Sequence, residues 1–233
     1  MNKTIKRICA CCMMAIFIFS LTGCGSNNLD KKYQTYVKSL IAINYLGATA
    51  DYIEATGANQ EDADALYESN IELLANNILT YYGITITDAP DLYQDYIELA
   101  RNIYGKVNYS VSKAYKDGSA YLVDVTIYPI NLFQQTSEEV AAYVDKFNSA
   151  VKNGDYNDYE LGEYESVFSK GMVQILNDGC LNMTYAEPVT VSVEIIRDDD
   201  MFYISDRDFL KIDAEMISSD VTVPVTEESN EAQ

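Results

Sequence analysis

Twice along its 233 residues this chain drops a helical hydrophobic period for strict alternation. Val107, Tyr109 and Val111 alternate with polar residues up to Tyr115, and Tyr121, Val123, Val125 and Ile127 alternate on the return. Between them, Asp117-Gly118 is a dipeptide suited to a tight hairpin, whose central positions need positive φ. The second place is Val189, Val191, Val193 and Ile195 against Thr190, Ser192 and Glu194. There Asp198-Asp199-Asp200 turns the chain back into residues 202–204. Strand side chains point alternately to two faces, so each hairpin owns one apolar face. Both are buried if the hairpins form one four-stranded antiparallel sheet covered by helices. Pro129 ends the second strand or confines it to an edge.

The remaining segments have helical spacing. Leu29, Tyr33, Tyr36, Val37, Leu40 and Ile41 recur every three or four residues, and this helix is expected to run toward Ile53 and stop at Thr56-Gly57. Asn59 is placed to cap a second helix, with Glu61, Asp62 and Asp64 near its positive end and Leu66, Ile71, Leu74, Ile78 and Tyr81 as its stripe. Asp88-Ala89-Pro90 opens a third, carrying Leu92, Tyr96, Leu99 and Ile103. Thr136-Ser137-Glu138-Glu139 has capping-box spacing and predicts a helix through roughly Val151. After a loop at 153–159, another helix is expected over 164–176, closed by Asn177-Asp178-Gly179. Ser205 and Asp208 cap a last one over 206–217. The expected order is ααα-ββ-αα-ββ-α: an α+β fold with an antiparallel four-stranded sheet from two hairpins, covered by about six helices. About 180 ordered residues bury close to 70% of their unfolded surface, enough for a core without crosslinks.

The first residues read differently. Lys3, Lys6 and Arg7 precede an apolar run at 8–21, too short to span a membrane, and the run ends in Leu21-Thr22-Gly23-Cys24. This is the order of a secretory signal peptide, and its ending resembles the lipobox of bacterial lipoproteins. The resemblance implies cleavage after residue 23 and a diacylglycerol thioether with further acylation (palmitate or a similar chain) on Cys24. Two acyl chains, at about 0.8 kcal/mol per buried CH₂, anchor a protein stably. On this reading residues 1–23 are the signal peptide, 24–28 a lipidated Cys24 and short tether, 29–217 a single α+β domain on the outer face of the membrane, and 218–233 a disordered acidic tail.

Cleavage there removes three positive charges, leaving 13 Lys and Arg against 36 Asp and Glu, a net −23. Such a charge repels nucleic acid and anionic membrane faces and leaves cationic partners: metal ions, basic peptides, polyamines. Cys9, Cys11 and Cys12 leave with the signal peptide. With lipid on Cys24, Cys180 is then the only free thiol, so no internal disulfide forms.

Elimination says most about chemistry. There is no histidine, which removes Ser-His-Asp and Cys-His nucleophiles and His-ligated metals. No phosphate loop or dinucleotide fingerprint occurs, and no cofactor is implied. Ser149-Ala150-Val151-Lys152 matches the S-x-x-K pattern of penicillin-binding proteins, but the S-D-N and K-T-G partners are missing. Asn153, Asp155, Asn157 and Asp158 fail the EF-hand template, with Asp158 where Gly is needed and Tyr164 where Glu belongs. A different cation site with Glu160 or Glu163 stays open. No pair stands out among the 36 acids, and there is no Trp platform for a sugar. The 20 Tyr fall mostly on core faces. Tyr156, Tyr159 and Tyr164 fit those faces least and are the candidate binding residues.

Over residues 33–45, 134–150 and 188–208 the chain also resembles uncharacterised lipoprotein domains of Gram-positive gut anaerobes. That implies a shared fold and no catalytic residue. Helices over a curved sheet are similar to the cone-shaped fold of the nuclear-transport-factor type, from which the element order departs. The expected function is therefore a lipid-anchored extracytoplasmic domain that binds or scaffolds without catalysis, for a membrane-proximal protein partner. A carboxylate-dependent envelope hydrolase is the alternative, marked by two carboxylates about 5–10 Å apart in a deep cleft.

Overall fold

The computed structural model describes residues 29–87, 89–198 and 201–218. The expected signal peptide, Cys24 and the expected tether, and residues 219–233 of the expected tail lie outside the described residues, as do Asp88, Asp199 and Asp200.

The first helical stripe is split between α1 (Leu29–Leu46) and α2 (Thr49–Thr56), where one continuous helix was expected. Gly47 turns the corner with φ 64, a conformation that costs a side-chain-bearing residue free energy. It also has no room to change, because a Cβ there would stand 3.0 Å from the Tyr67 ring. Asn59 caps α3 (Gln60–Tyr81) as expected, accepting from the Asp62 amide at 2.8 Å. α4 (Asp91–Tyr104) follows Pro90.

The first hairpin has three strands rather than two: β1 (Asn108–Val111), β2 (Tyr115–Asp117) and β3 (Ala120–Tyr128). Val111 pairs with Val125 but Tyr115 with Leu122, so residues 112–114 face only 123–124. This one-residue bulge breaks the expected single strand. Ser112 holds it, donating its amide to the Asp124 carbonyl at 2.8 Å and accepting from the Asp124 amide at 2.9 Å. The hairpin turns here as expected but one residue later: Asp117 still pairs with Ala120, and Gly118-Ser119 are the two turn residues, with Gly118 at φ 59.

The next region departs most from expectation. A short helix, α5 (Leu132–Gln135), leads straight into α6 (Ser137–Asn153), so Thr136 is already in a helical run. Its hydroxyl donates back to the Leu132 carbonyl at 2.9 Å, and the expected capping box at 136–139 does not form. A reciprocal box between Glu160 and Glu163 instead opens α7 (Leu161–Leu181). That helix passes through Gly171 and Gly179 and ends later than the predicted stop. Both glycines are contact points: a Cβ on Gly179 would meet Leu132 and Thr136 at 2.6 Å.

β4 (Val189–Asp198), β5 (Met201–Tyr203) and α8 (Asp206–Met216) complete the described residues. Ser205 caps α8, accepting from the Asp208 amide at 3.1 Å. All strand pairs are antiparallel, in the order β1-β3-β4-β5 with β2 also on β3. Seven residue pairs, from Tyr121↔Ile195 to Ile127↔Val189, join the two hairpins through β3 and β4. The protein is a mixed α+β fold, with eight helices among the described residues and an antiparallel sheet. The sheet's apolar face (Val123, Val125, Ile127, Val193, Ile195) joins Tyr33, Ile41, Leu74, Tyr96, Leu176 and Ile212 from the helices in one buried cluster. Its other face is polar. There Asp124 accepts from Tyr115 at 3.0 Å and from Ser192 at 2.5 Å, and the Thr126 and Thr190 hydroxyls meet at 3.0 Å.

Candidate functional site

The three tyrosines singled out from the sequence come together where α6 turns into α7. Phe147 of α6 is buried, and Tyr156 stacks on it with ring centroids 5.0 Å apart at 29°. Tyr164 of α7 meets the same ring at 5.1 Å, and Tyr159 sets its edge against Tyr156 at 5.2 Å. Tyr156 and Tyr164 are half-buried, whereas Tyr159 keeps 45% of its surface exposed. Phe168 packs on Phe147 at 4.9 Å, and Tyr143 stacks on Phe168 at 5.8 Å. Tyr143 donates its hydroxyl to the carbonyls of Val167, at 2.9 Å, and Phe168, at 3.1 Å. Sequence reasoning missed Tyr143, Phe147 and Phe168. Their signal was spacing: Tyr143 with Phe147 and Tyr164 with Phe168 are i, i+4 pairs, which share a helix face.

A cleft of about 680 Å³ opens between the start of α4 and the start of α7, and Glu160, the residue after Tyr159, is in its wall. Asp91, Asp95, Glu160 and Glu163 line it against one cation, Lys170. The partial positive charge of two helix N-termini favours this gathering of acids. Two of the four have a structural duty, because Glu163 accepts from the Glu160 amide at 3.2 Å while Glu160 accepts from the Glu163 amide. Below the cleft, Tyr96 of α4 and Ser169 of α7 share a buried hydrogen bond of 2.9 Å, and the Thr87 amide donates to Glu165 at 2.9 Å. The walls are thus fixed to each other.

Other candidate groups are engaged elsewhere. The Ser149 hydroxyl donates to the Asp145 carbonyl of its own helix at 2.8 Å. Cys180 is buried, and burial pushes its thiol up to about 11, so it is no thiolate nucleophile at neutral pH. Burial also raises Asp213 of α8, which accepts from Tyr45 at 2.7 Å and is not part of the cleft. Among the described residues, no group of three or more His, Cys, Asp or Glu is arranged to hold a metal ion.

No family model matches the chain, and no curated protein matches it. A solved structure does. It is the crystal structure of YcdA, a candidate lipoprotein of Bacillus subtilis. The two share a fold. The TM-score is 0.55 at 18% identity, with 81% of this chain covered, and the chain spans 58% of the length of the YcdA chain. At that identity YcdA informs the architecture, and the cleft and the tyrosines have to be argued from their own geometry.

Proposed function

We propose that the chain is a lipid-anchored extracytoplasmic binding domain, held by Cys24 on the outer face of the cell membrane and working without catalysis. The observation that carries this reading is the aromatic cluster around Phe147, with Tyr159 exposed and the next residue, Glu160, lining an acidic cleft. Ring faces and carboxylates attract ammonium and guanidinium groups together. Tyr156 and Tyr164 hold the surface in shape, and Tyr159 makes the contact, with a cationic peptide or a polyamine as the ligand class. The shared fold of YcdA, a candidate lipoprotein, supports the anchored reading. An envelope hydrolase is the weaker reading, because Glu160 and Glu163 spend their carboxylates on capping α7.

Two experiments test this. Tetralysine titrated into the full chain at low salt should bind saturably by calorimetry, and Tyr159→Ala should weaken it at least about tenfold, or about 1.4 kcal/mol. An exposed site should change stability by only about 0.5 kcal/mol. Absent binding, or equal binding by the variant, overturns the assigned surface. Separately, Cys24→Ala should abolish incorporation of labelled palmitate and leave an unprocessed precursor. Labelling that survives the change removes the anchor.

A further inference from the structure

β4 is longer than the strand on its outer side, and this leaves part of its edge open. On one side β3 pairs with residues 189–195, and on the other β5 covers residues 196–198 alone. The N–H and C=O of a strand residue point to one side of the strand, and those of its neighbours to the other. Ile196 faces Tyr203 of β5, so the main-chain groups of Thr190, Ser192 and Glu194 point outward as well. The Glu194 amide agrees, since it donates to the Asp208 carboxylate at 3.1 Å, in the first turn of α8. Among the described residues, nothing accepts from the Thr190 or Ser192 amide. Open edges invite pairing with another chain, and proteins ordinarily blunt them. Here only the two ends are blunted: Pro188 has no N–H to offer, and Asp208 occupies the Glu194 amide. Between them lies an uncharged window at 189–193, exposed at Thr190 and Ser192.

The side chains around the window say what fits it. On the sheet's apolar face Val193 is fully buried, but Val189 and Val191 are only half-buried, so an added strand would cover apolar area with every second side chain. Residues 120–128 and 185–196 contain Asp124, Glu187 and Glu194 and no Lys or Arg. α8, whose first turn reaches this edge, carries Arg207 and Lys211 against Asp206 and Asp208, and Lys211 pairs with Asp208 at 2.6 Å. The edge therefore lies in a negative field, which favours a basic partner. A second copy of the chain does not meet that condition. Pairing Thr190 of one copy with Ser192 of the other would set Glu194 of each beside Glu187 of its mate, and like charges across a ladder are destabilising.

We propose that the outer edge of β4 at 189–193 docks an extended peptide segment of a partner protein, paired antiparallel, with apolar and polar residues alternating and basic residues at its ends. The N–H and C=O groups of Thr190 and Ser192 bond its main chain, Val189 and Val191 take its apolar side chains, and Glu187 and Glu194 take the basic ones. The residues lining the acidic cleft come from α4, α7 and the segments just before them and none from β4, so this surface is separate from the Tyr159 site.

The probe is the acetylated and amidated peptide Lys-Thr-Val-Thr-Val-Thr-Lys, added to the full isotope-labelled chain, with amide hydrogen exchange read residue by residue in NMR spectra. Without peptide, the Thr190 and Ser192 amides should exchange at least about tenfold faster than those of Val191 and Val193, which face β3. Saturating peptide should slow both at least about tenfold. In antiparallel pairing the residues bonded to Thr190 and Ser192 carry their side chains on the same polar face, so the peptide's threonine amides point at β4. N-methylation of those threonine amides should abolish the slowing, and N-methylation of the valine amides should preserve it. Glutamate in place of both lysines should weaken binding at least about tenfold. No slowing at Thr190 and Ser192, equal effects of the two methylations, or equal binding of the glutamate peptide overturns the proposal. Slowing that needs no peptide and grows with protein concentration gives the edge to a second copy and overturns it as well.

Discussion

Gly171→Ala reverses sign with the residue opposite it, and this makes the packing of α7 testable. A Cβ on Gly171 would stand 2.6 Å from Cε2 of Tyr143, with Cζ and the hydroxyl nearer still. Ordinary contact requires at least about 3.4 Å, so the Tyr143 ring has to move by roughly 1 Å. Overpacking of that size costs about 1–3 kcal/mol. Tyr143 also loses good geometry in its hydroxyl bonds to the Val167 and Phe168 carbonyls, for about 1 kcal/mol. Against this, alanine gains about 1 kcal/mol over glycine in a helix interior. The net is a loss of about 1–3 kcal/mol, or about 2–4 °C in Tm per kcal/mol for a chain of this size. In a Tyr143→Ala background the obstruction is absent, and the same substitution should stabilise by about 1 kcal/mol. Urea and thermal unfolding followed by circular dichroism on the four proteins of the cycle would decide it. A Gly171→Ala protein as stable as wild type, or a loss that persists without Tyr143, refutes the reasoning.

Burial lifts Tyr52 and Tyr96 to about 12 and raises Tyr33, Tyr36, Tyr45, Tyr82 and Tyr104 from the ordinary value of 10.0. Above that value the folded chain keeps protons that the unfolded chain releases, so stability falls as pH rises. The share of the phenolate absorbance that belongs to these seven tyrosines should then appear in one cooperative step with the loss of circular dichroism; the full absorbance of all 20 tyrosines reached with the fold intact would count against these burials. Asp213 is also raised, from 3.8, so its share of stability is present at acid pH and lost as pH rises. Asp213→Asn can still accept the Tyr45 bond and should flatten the decline between acid and neutral pH, and an unchanged pH profile speaks against it. The Cys180 thiol should ignore a thiol reagent at neutral pH until the chain unfolds, and Cys180→Ser should cost about 1–2 kcal/mol. Rapid labelling of the folded protein contradicts its burial.

The fold class was legible because its signals are local. Alternation over 121–127, the Asn59 cap and the Ser205 cap each depend on residues a few positions apart, and each forms as expected. What the sequence hid depends on distant partners. Gly47 turns a corner against Tyr67, and the bulge at 112–114 is pinned to Asp30 of α1. Asn177-Asp178-Gly179 carries the composition of a helix stop, yet it lies inside α7, where Leu132 and Thr136 close on Gly179. A false cap at Thr136 and a real one at Glu160 separate for the same kind of reason. Thr136 already belongs to a helical run begun at Leu132, whereas Glu160 arrives in extended backbone with its side chain able to reach Glu163.

The candidate site shows what an aromatic residue outside the periodic stripe signifies. Tyr156, Tyr159 and Tyr164 stood out because no helix or strand face claimed them, and such a residue has two fates: a binding surface or a small core under a loop. Phe147 claims Tyr156 and Tyr164, and the i, i+4 partners on α6 and α7 build that small core without the main one. A ring held this way is pre-organised, which lowers the ordering cost of anything that docks beside it. Tyr159 is the ring left with open area, one residue before Glu160 of the acidic cleft. The packing residues and the contact residue are thus parts of one device, so Tyr164→Leu should loosen the loop and weaken cation binding through Tyr159 without touching the ligand. Calorimetry of Tyr164→Leu and Tyr159→Ala, alone and together, reads that coupling: losses smaller together than their sum support it, and strictly additive losses sever the link between cluster and site.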